Sequence, residues 1–182
     1  MTRSRIAKLA AGLTAGAALA APLAASAGLP KPRTALIVPF KSVDGITLGV
    51  TTKAKALAAW GAGDGCSVGT GGRDTCVWFA RSSTDFPVEA GVLEIARGKV
   101  CGILIRGGTG LRSSALSITR LKRWRTAGGV GIGSTLRAAK TVTGRLVSDR
   151  RGVTTAFLPG TKGAATRQVA EIRIFKRGCE VT

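Results

Sequence analysis

ITLGVT at residues 46–51 and VGIGST at residues 130–135 share one pattern, and they begin 84 residues apart. In each stretch apolar residues alternate up to a glycine, and a threonine, Thr51 or Thr135, closes it. Alternation predicts a strand, and threonine is a favoured N-cap because its hydroxyl accepts a hydrogen bond from a free amide of the first helical turn. A helical run then ends at Gly61 or at Gly144. We therefore predict one structural unit that is used twice.

Each unit is predicted to continue from its helix into antiparallel strands. We expect helices over 52–60 and 136–143, and strands at 75–80, 88–96, 100–105, 153–158 and 168–176. Arg97-Gly98 lies between two apolar runs and predicts a hairpin turn. A short helix and a sheet each have an apolar side that must be covered. The predicted fold class is α+β, with two tandem repeats, each a short helix packed on an antiparallel sheet of three to four strands.

The chain divides into five predicted segments: residues 1–27 are a signal peptide, 28–42 an N-terminal arm, 43–111 repeat one, 112–127 a basic connector strand and 128–182 repeat two. The leader combines early basic residues with an apolar run from Leu9 to Leu23, and Ala25-Ser26-Ala27 provides a small-x-small cleavage pattern. A membrane span needs about 20 strongly apolar residues, and this run is shorter. We expect a secreted, extracytoplasmic protein with no stable membrane insertion after cleavage.

The two units resemble the repeat of the secreted beta-lactamase inhibitory proteins and of the SmpA/OmlA-type lipoproteins of the outer-membrane β-barrel assembly machinery. The matching residues are Ile46, Leu48, Gly49, Thr51, Gly61, Cys66 and Cys76 in the first unit and Val130, Ile132, Gly133, Thr135 and Gly144 in the second. The resemblance extends from the region of Val43 to the C-terminus. It implies helix-on-sheet repeats and protein–protein binding at an exposed sheet face.

Four cysteines, Cys66, Cys76, Cys101 and Cys179, lie beyond the leader. In an exported chain an even number predicts two disulfides, and three pairings are possible. We favour Cys66 with Cys76, which would close a short glycine-rich loop. Cys101 with Cys179 would then join the last strands of the two repeats. The sequence has no CxxC motif and no histidine, which disfavours a metal site, and no cofactor is predicted.

Positive charge is the other gross feature of the chain. Beyond residue 27 there are 25 basic and 9 acidic residues, a net charge of +16, which favours contact with polyanions. Arg112, Arg120, Lys122, Arg123 and Arg125 surround Trp124 in a basic strip with one stacking residue, a pattern suited to phosphates. The competing interpretation is a solvated edge strand whose charges prevent aggregation.

Aromatic residues are the candidate anchors for a protein partner. Trp78, Phe79 and Trp124 are chosen because tryptophan is enriched at interface hot spots. Trp78 and Phe79 are neighbours on a predicted strand, so their side chains point to opposite faces. One of the two belongs in the core and the other is the candidate, and the sequence does not distinguish them.

An enzyme is not predicted. General acid–base chemistry near neutral pH usually employs histidine, and the chain has none. The nine acidic residues are scattered along the sequence, and no serine lies in a nucleophile elbow. We predict a secreted binding module that acts, in an inhibitor-like way, through an exposed sheet face on an envelope or extracellular protein. The alternative is a cationic protein that binds wall polymer, acidic lipid or nucleic acid.

Overall fold

The computed structural model describes residues 33–80, 88–107, 121–161 and 166–179. Residues 1–27 and Arg120 therefore lie outside the described part of the chain. The helices are α1 (Lys53–Trp60) and α2 (Leu136–Thr143), and the strands are β1 (Leu36–Val38), β2 (Ser42–Val43), β3 (Ile46–Thr47), β4 (Gly65–Val68), β5 (Arg73–Ala80), β6 (Val88–Ala96), β7 (Lys99–Arg106), β8 (Arg125–Thr126), β9 (Val147–Arg150), β10 (Val153–Pro159) and β11 (Val169–Lys176). The fold is α+β, as predicted.

The strands form two sheets. Seven strands pair in the order β4-β5-β6-β7-β11-β10-β9, and four short strands pair in the order β3-β2-β1-β8. At the centre of the larger sheet β7 and β11 are antiparallel, with Ile105 opposite Ile172. The strands that follow α1 and the strands that follow α2 therefore belong to one continuous sheet.

The N-terminal segment is part of the fold. Within 28–42, predicted as an arm, β1 pairs with β2 and also runs parallel to β8. The β1–β2 turn reaches the larger sheet, where the Phe40 amide donates to the buried Thr155 hydroxyl at 2.7 Å. β1 ends directly before Pro39, because proline has no backbone amide hydrogen to donate to a neighbouring strand.

One face of the larger sheet, called here the helix face, carries the main core. Trp78, Ile103, Phe157 and Ile172 project from it into a cluster that includes residues of α1, α2 and the small sheet. Trp60 from α1 lies at the middle of this cluster, with ring centroids 5.3 Å from Trp78 and 5.0 Å from Trp124. All three tryptophans are buried, so the core is built around them.

The first helix begins one residue later than predicted. The N-cap is Thr52, whose hydroxyl accepts from the Lys55 amide, whereas the Thr51 hydroxyl accepts from the Thr47 amide at 2.9 Å. In the second helix Thr135 is the N-cap, as predicted. The first stretch therefore has one more residue than the second between its glycine and its cap, and alignment of the two sequences cannot reveal that insertion.

Both disulfides have the pairing that the sequence favoured. Cys66 and Cys76 face each other across β4 and β5, and Cys101 of β7 is joined to Cys179 just after β11. Two disulfides are typical of an oxidising compartment and agree with an extracytoplasmic location. Neither helix within the described ranges is long and apolar enough to cross a membrane.

Candidate binding site on the sheet

A second apolar cluster lies on the face of the larger sheet opposite the helix face, called here the outer face. Its buried centre is Val92 and Leu104, and Val77 and Phe175 pack against them while staying partly exposed. Val77, Val92 and Leu104 lie side by side on β5, β6 and β7, because Val77 is opposite Val92 and Val92 is opposite Leu104. Phe175 joins them from β11, opposite Gly102.

Phe79 lies two positions beyond Val77 on β5. The register between β5 and β6 shifts between Trp78 and Phe79, with one extra residue on β6. Because the extra residue belongs to β6, alternation along β5 directs Phe79 to the outer face when Trp78 is buried on the helix face. The Phe79 side chain is half-buried, and its backbone amide donates to Asp64 Oδ2 at 2.6 Å. Of the predicted pair, Phe79 is therefore the one available to a partner.

Trp78 and Trp124 are wrong as surface anchors. Both are at most 1% exposed, and each packs beside Trp60 in the core. The physical reason is composition: the chain has only three tryptophans and five phenylalanines, and a tightly packed interior takes the largest of them. No local signal around Trp124, which is flanked by charged residues, indicates its burial.

Polar groups border the apolar cluster on two sides. On β5 and β6 the Thr75 hydroxyl donates to Glu94, with both carboxylate oxygens 3.0 Å away. On β7 and β11 the buried carboxylate of Glu171 accepts from Arg106 Nε at 2.6 Å and from Arg173 Nε. An apolar centre with a polar border is the usual composition of a protein-binding patch.

Burial raises the pKa of Glu94 above its ordinary value of 4.5, while the Thr75 hydrogen bond and the charge of Arg73 act in the opposite direction. The folded protein thus holds this proton more tightly than the unfolded chain, and the resulting stability is present below pH 4.5 and lost as the pH rises through the raised pKa.

Glu94→Gln, which keeps an acceptor for Thr75, should remove the pH dependence of stability that the Glu94 carboxyl causes. We expect the difference in unfolding free energy between Glu94→Gln and the unaltered protein to grow in favour of the variant as the pH rises above 4.5. Urea denaturation of both proteins at about pH 4 and at about pH 7 measures this difference in unfolding free energy. A difference that stays constant with pH would contradict a raised pKa for Glu94.

Where the predicted basic strip is described, only its end at Arg125–Thr126 is a strand, β8. Leu121–Arg123 is a single turn of 3-10 helix, in which Lys122 is half-buried and Arg123 exposed. Arg125 starts β8, and its guanidinium donates to Ser134 Oγ at 2.9 Å, which positions the loop before α2. Because Trp124 is buried in the core, the strip lacks the stacking residue that the phosphate-binding interpretation required.

Among the described residues no three His, Cys, Asp or Glu side chains come together to hold a metal. A shallow groove of about 610 Å³ lies between Phe40, the end of α2 and β9, and its lining includes Arg145, Asp149 and Arg150. It contains no nucleophile paired with a base, so nothing in it indicates a reaction.

No family model and no curated protein matches this chain. Among solved structures, a cysteine-rich secretory protein (SAV1118) from Staphylococcus aureus subsp. aureus Mu50 is similar with a TM-score of 0.43 and 10% identity, covering 84% of this chain and 50% of that one. The DUF4309 family protein YjgB from Bacillus subtilis subsp. subtilis str. 168 gives 0.38 and 16%, covering 73% and 83%. An extracellular protein containing a SCP domain from Bacillus anthracis str. Ames gives 0.39 and 11%, covering 78% and 50%.

The chain thus spans half the length of the first of these proteins. All three TM-scores are below 0.5 and all identities are below 25%, so the likenesses identify neither the fold family nor the function. Function has to be derived from the residues of this chain.

Proposed function

We propose that this chain is a secreted, non-enzymatic binding module that holds an extracellular or envelope protein against the outer face of its larger sheet. The observation that carries the proposal is the apolar cluster of Val77, Val92, Leu104 and Phe175. It lies apart from the main core, on the face that neither described helix covers. Phe79, Glu94 and the two half-buried arginines that pair with Glu171 complete the patch.

The proposed architecture is two copies of one unit. Two backbone contacts support it: the Gly49 amide donates to Val100 O and the Gly133 amide donates to Val169 O, each at 2.7 Å. The N-cap threonines also match, because Thr52 pairs with the residue before Val100 and Thr135 with the residue before Val169. In each unit the turn before the helix is therefore hydrogen-bonded to the start of the unit's last strand, β7 in the first and β11 in the second.

The two aromatic side chains of the outer face favour a specific partner. Aromatic side chains concentrate binding energy because they bury a large area with little loss of conformational entropy. Phe79 and Phe175 are the two aromatic residues of the outer face within the described ranges, and both are half-buried. They are held on strands of a disulfide-linked sheet, so little ordering is needed on binding.

Phe79→Ala and Phe175→Ala should each weaken binding of the partner by about 10-fold or more, as expected for hot-spot residues. The partner is first captured from envelope and culture-fluid fractions at high salt with the oxidised protein, then purified, and its Kd is measured by titration calorimetry. Val50→Ala is the matched control, because Val50 is 67% exposed and lies in the turn before α1, not on a strand of the outer face.

An unchanged Kd for both phenylalanine variants would remove the outer face from consideration. A Kd that rises equally in the Val50→Ala control would show a general loss of fold and would equally contradict the proposal. Circular dichroism of each variant separates the second case from the first.

A further inference from the structure

Seven basic side chains from distant parts of the sequence meet at one end of the larger sheet. They are Arg73, Arg97, Lys99, Arg150, Arg151, Lys176 and Arg177, and all seven are exposed. This group is called here the basic end. None of these residues belongs to the strip around Trp124 or to the outer-face cluster of Val77, Val92, Leu104 and Phe175.

The strand register brings them together. Arg73 is opposite Ala96, and Ala96 is opposite Lys99, which places the start of β5 beside the β6–β7 turn. Val153 is opposite both Lys176 and Arg150, which places the β9–β10 turn beside the end of β11. The two groups join through β7 and β11, where Phe175 is opposite Gly102.

Hydrogen bonds hold the β9–β10 turn and the start of β5 against the end of β11. The Arg177 amide donates to Gly152 O at 2.9 Å, and the Arg73 guanidinium donates to Gly178 O. The Cys101–Cys179 disulfide follows immediately. From β5 to β9 the row crosses five inter-strand spacings, a length of about 24 Å.

Of the carboxyl groups near this row, Glu94 feels the charge of Arg73, which acts to lower the Glu94 pKa, and the other two, Asp74 and Asp149, have other partners. Asp74 pairs with Lys53 of α1, with 2.6 Å between Nζ and Oδ2. Asp149 accepts from the Gly152 amide at 3.3 Å and from the Thr154 hydroxyl at 3.2 Å. Among the residues whose placement is described, no carboxylate forms an ion pair with any of the seven side chains.

Two of the arginines are held in an unfavourable backbone conformation. Arg97-Gly98 and Arg151-Gly152 are two-residue hairpin turns with positive φ at both positions, 52° and 71° in the first and 54° and 74° in the second. Such turns favour Asn, Asp or Gly at the first position, because other side chains are strained at positive φ.

The chain itself contains the favoured alternative. The β2–β3 turn is Asp44-Gly45, with φ values of 53° and 82°, and it lies in the small sheet away from the basic end. Within the described ranges, the arginines with positive φ are Arg97 and Arg151, the first residues of the two turns of the basic end. Strained residues are often retained where function requires their side chains.

We propose that the basic end binds linear phosphodiester polymers by contacting successive phosphates. Five of its seven side chains are arginines, whose planar guanidinium forms two parallel hydrogen bonds with a phosphate. A row of turn tips suits an extended chain better than a compact ligand. Phe175 packs into the outer-face cluster, so binding depends on the phosphates and not on stacked bases.

The test uses the double variant Arg97→Asn, Arg151→Asn, which removes two charges while placing a favoured residue at each strained position. Labelled poly(glycerol phosphate) and labelled oligothymidylate with equal numbers of phosphates are titrated with oxidised protein by fluorescence anisotropy over a range of salt concentrations. Polyglutamate of equal charge is the third probe.

For both phosphate probes we expect the double variant to bind about 10-fold more weakly at 150 mM salt, with a salt slope shallower by about 1.4, because each lost phosphate contact on a single strand contributes about 0.7. Its thermal midpoint should be no lower than that of the unaltered protein, which excludes unfolding as the cause.

The matched control is Arg137→Gln, Arg167→Gln, which has the same net charge. Both residues are exposed and flank the Thr135–Gln168 pairing at the opposite end of β11, so this control should bind like the unaltered protein. Equal affinity for the two phosphate probes would support recognition of the phosphodiester chain itself, and tighter binding of oligothymidylate would support nucleic acid as its source.

Three results would overturn the proposal. In the first, the control loses as much affinity as the double variant, which shows that net charge alone is responsible. In the second, the unaltered protein binds neither phosphate probe at 150 mM salt. In the third, polyglutamate binds at least as tightly as the phosphate probes, which indicates an acidic polypeptide instead.

Discussion

Trp60→Ala is expected to lower the free energy of unfolding by about 3–5 kcal/mol, the range for truncating a buried tryptophan. Trp60 is 1% exposed and touches two other rings, Trp78 edge-on at an interplanar angle of 81° and Trp124 tilted at 32°. It thereby links α1 to β5 of the larger sheet and to the segment before β8. Since small domains are stabilised by only about 5–15 kcal/mol, this loss is a large share of the total.

Trp60→Phe is the control that separates ring packing from hydrogen bonding. The indole nitrogen of Trp60 is buried, and no acceptor for it is found within the described ranges. The phenyl ring keeps much of the contact area and removes no hydrogen bond, so its cost should be well under half of that of Trp60→Ala. Urea denaturation followed by circular dichroism measures both, and a loss below about 1 kcal/mol for Trp60→Ala would contradict the central role of this residue.

The Cys101–Cys179 disulfide should contribute more stability than Cys66–Cys76. The sequence separations are 78 and 10 residues, and the entropy that a cross-link removes from the unfolded chain increases with the closed loop. This predicts losses of about 4.5 kcal/mol for Cys101→Ala, Cys179→Ala and about 3 kcal/mol for Cys66→Ala, Cys76→Ala. The same urea experiment compares the two double variants.

The long disulfide also bears on the basic end. Cys179 follows Arg177-Gly178, and its amide donates to Lys176 O at 2.9 Å, so the bond fixes this segment against β7. We expect Cys101→Ala, Cys179→Ala to weaken phosphate-polymer binding, with Cys66→Ala, Cys76→Ala as the control that leaves it unchanged. If the shorter disulfide proved the more stabilising of the two, the chain-entropy explanation would be wrong for this fold.

Elements with strong local signals were predicted closely. The bounds of α2 and of β6 are those expected from periodicity, and the Arg97-Gly98 turn lies where two apolar runs meet. β4 and β9 were missed, because these edge strands have exposed or half-exposed residues without an apolar alternation. Such strands form because a neighbouring strand pairs with them, and their own residues do not predict that pairing.

The candidate site was predicted only in outline. Strand alternation placed one of Trp78 and Phe79 inside, but the choice depends on Trp60, which reaches Trp78 from another element. Trp124 lies among charged residues, and its burial follows from the same distant ring. The outer-face cluster draws on four strands, and Phe175 enters it only because β11 pairs with β7.

The sequence by itself determined the α+β class, the start and end of α2, the favoured disulfide pairing and the excess of positive charge. These properties depend on composition or on residues a few positions apart, since helix and strand periodicity and capping act over one or two turns. Only the tertiary structure decided which aromatic side chains are buried and where the charge is concentrated. Arg73 and Arg177 are more than 100 positions apart in the chain, yet their segments are in contact at one end of the sheet. Long-range strand pairing creates that proximity, and no local pattern contains it.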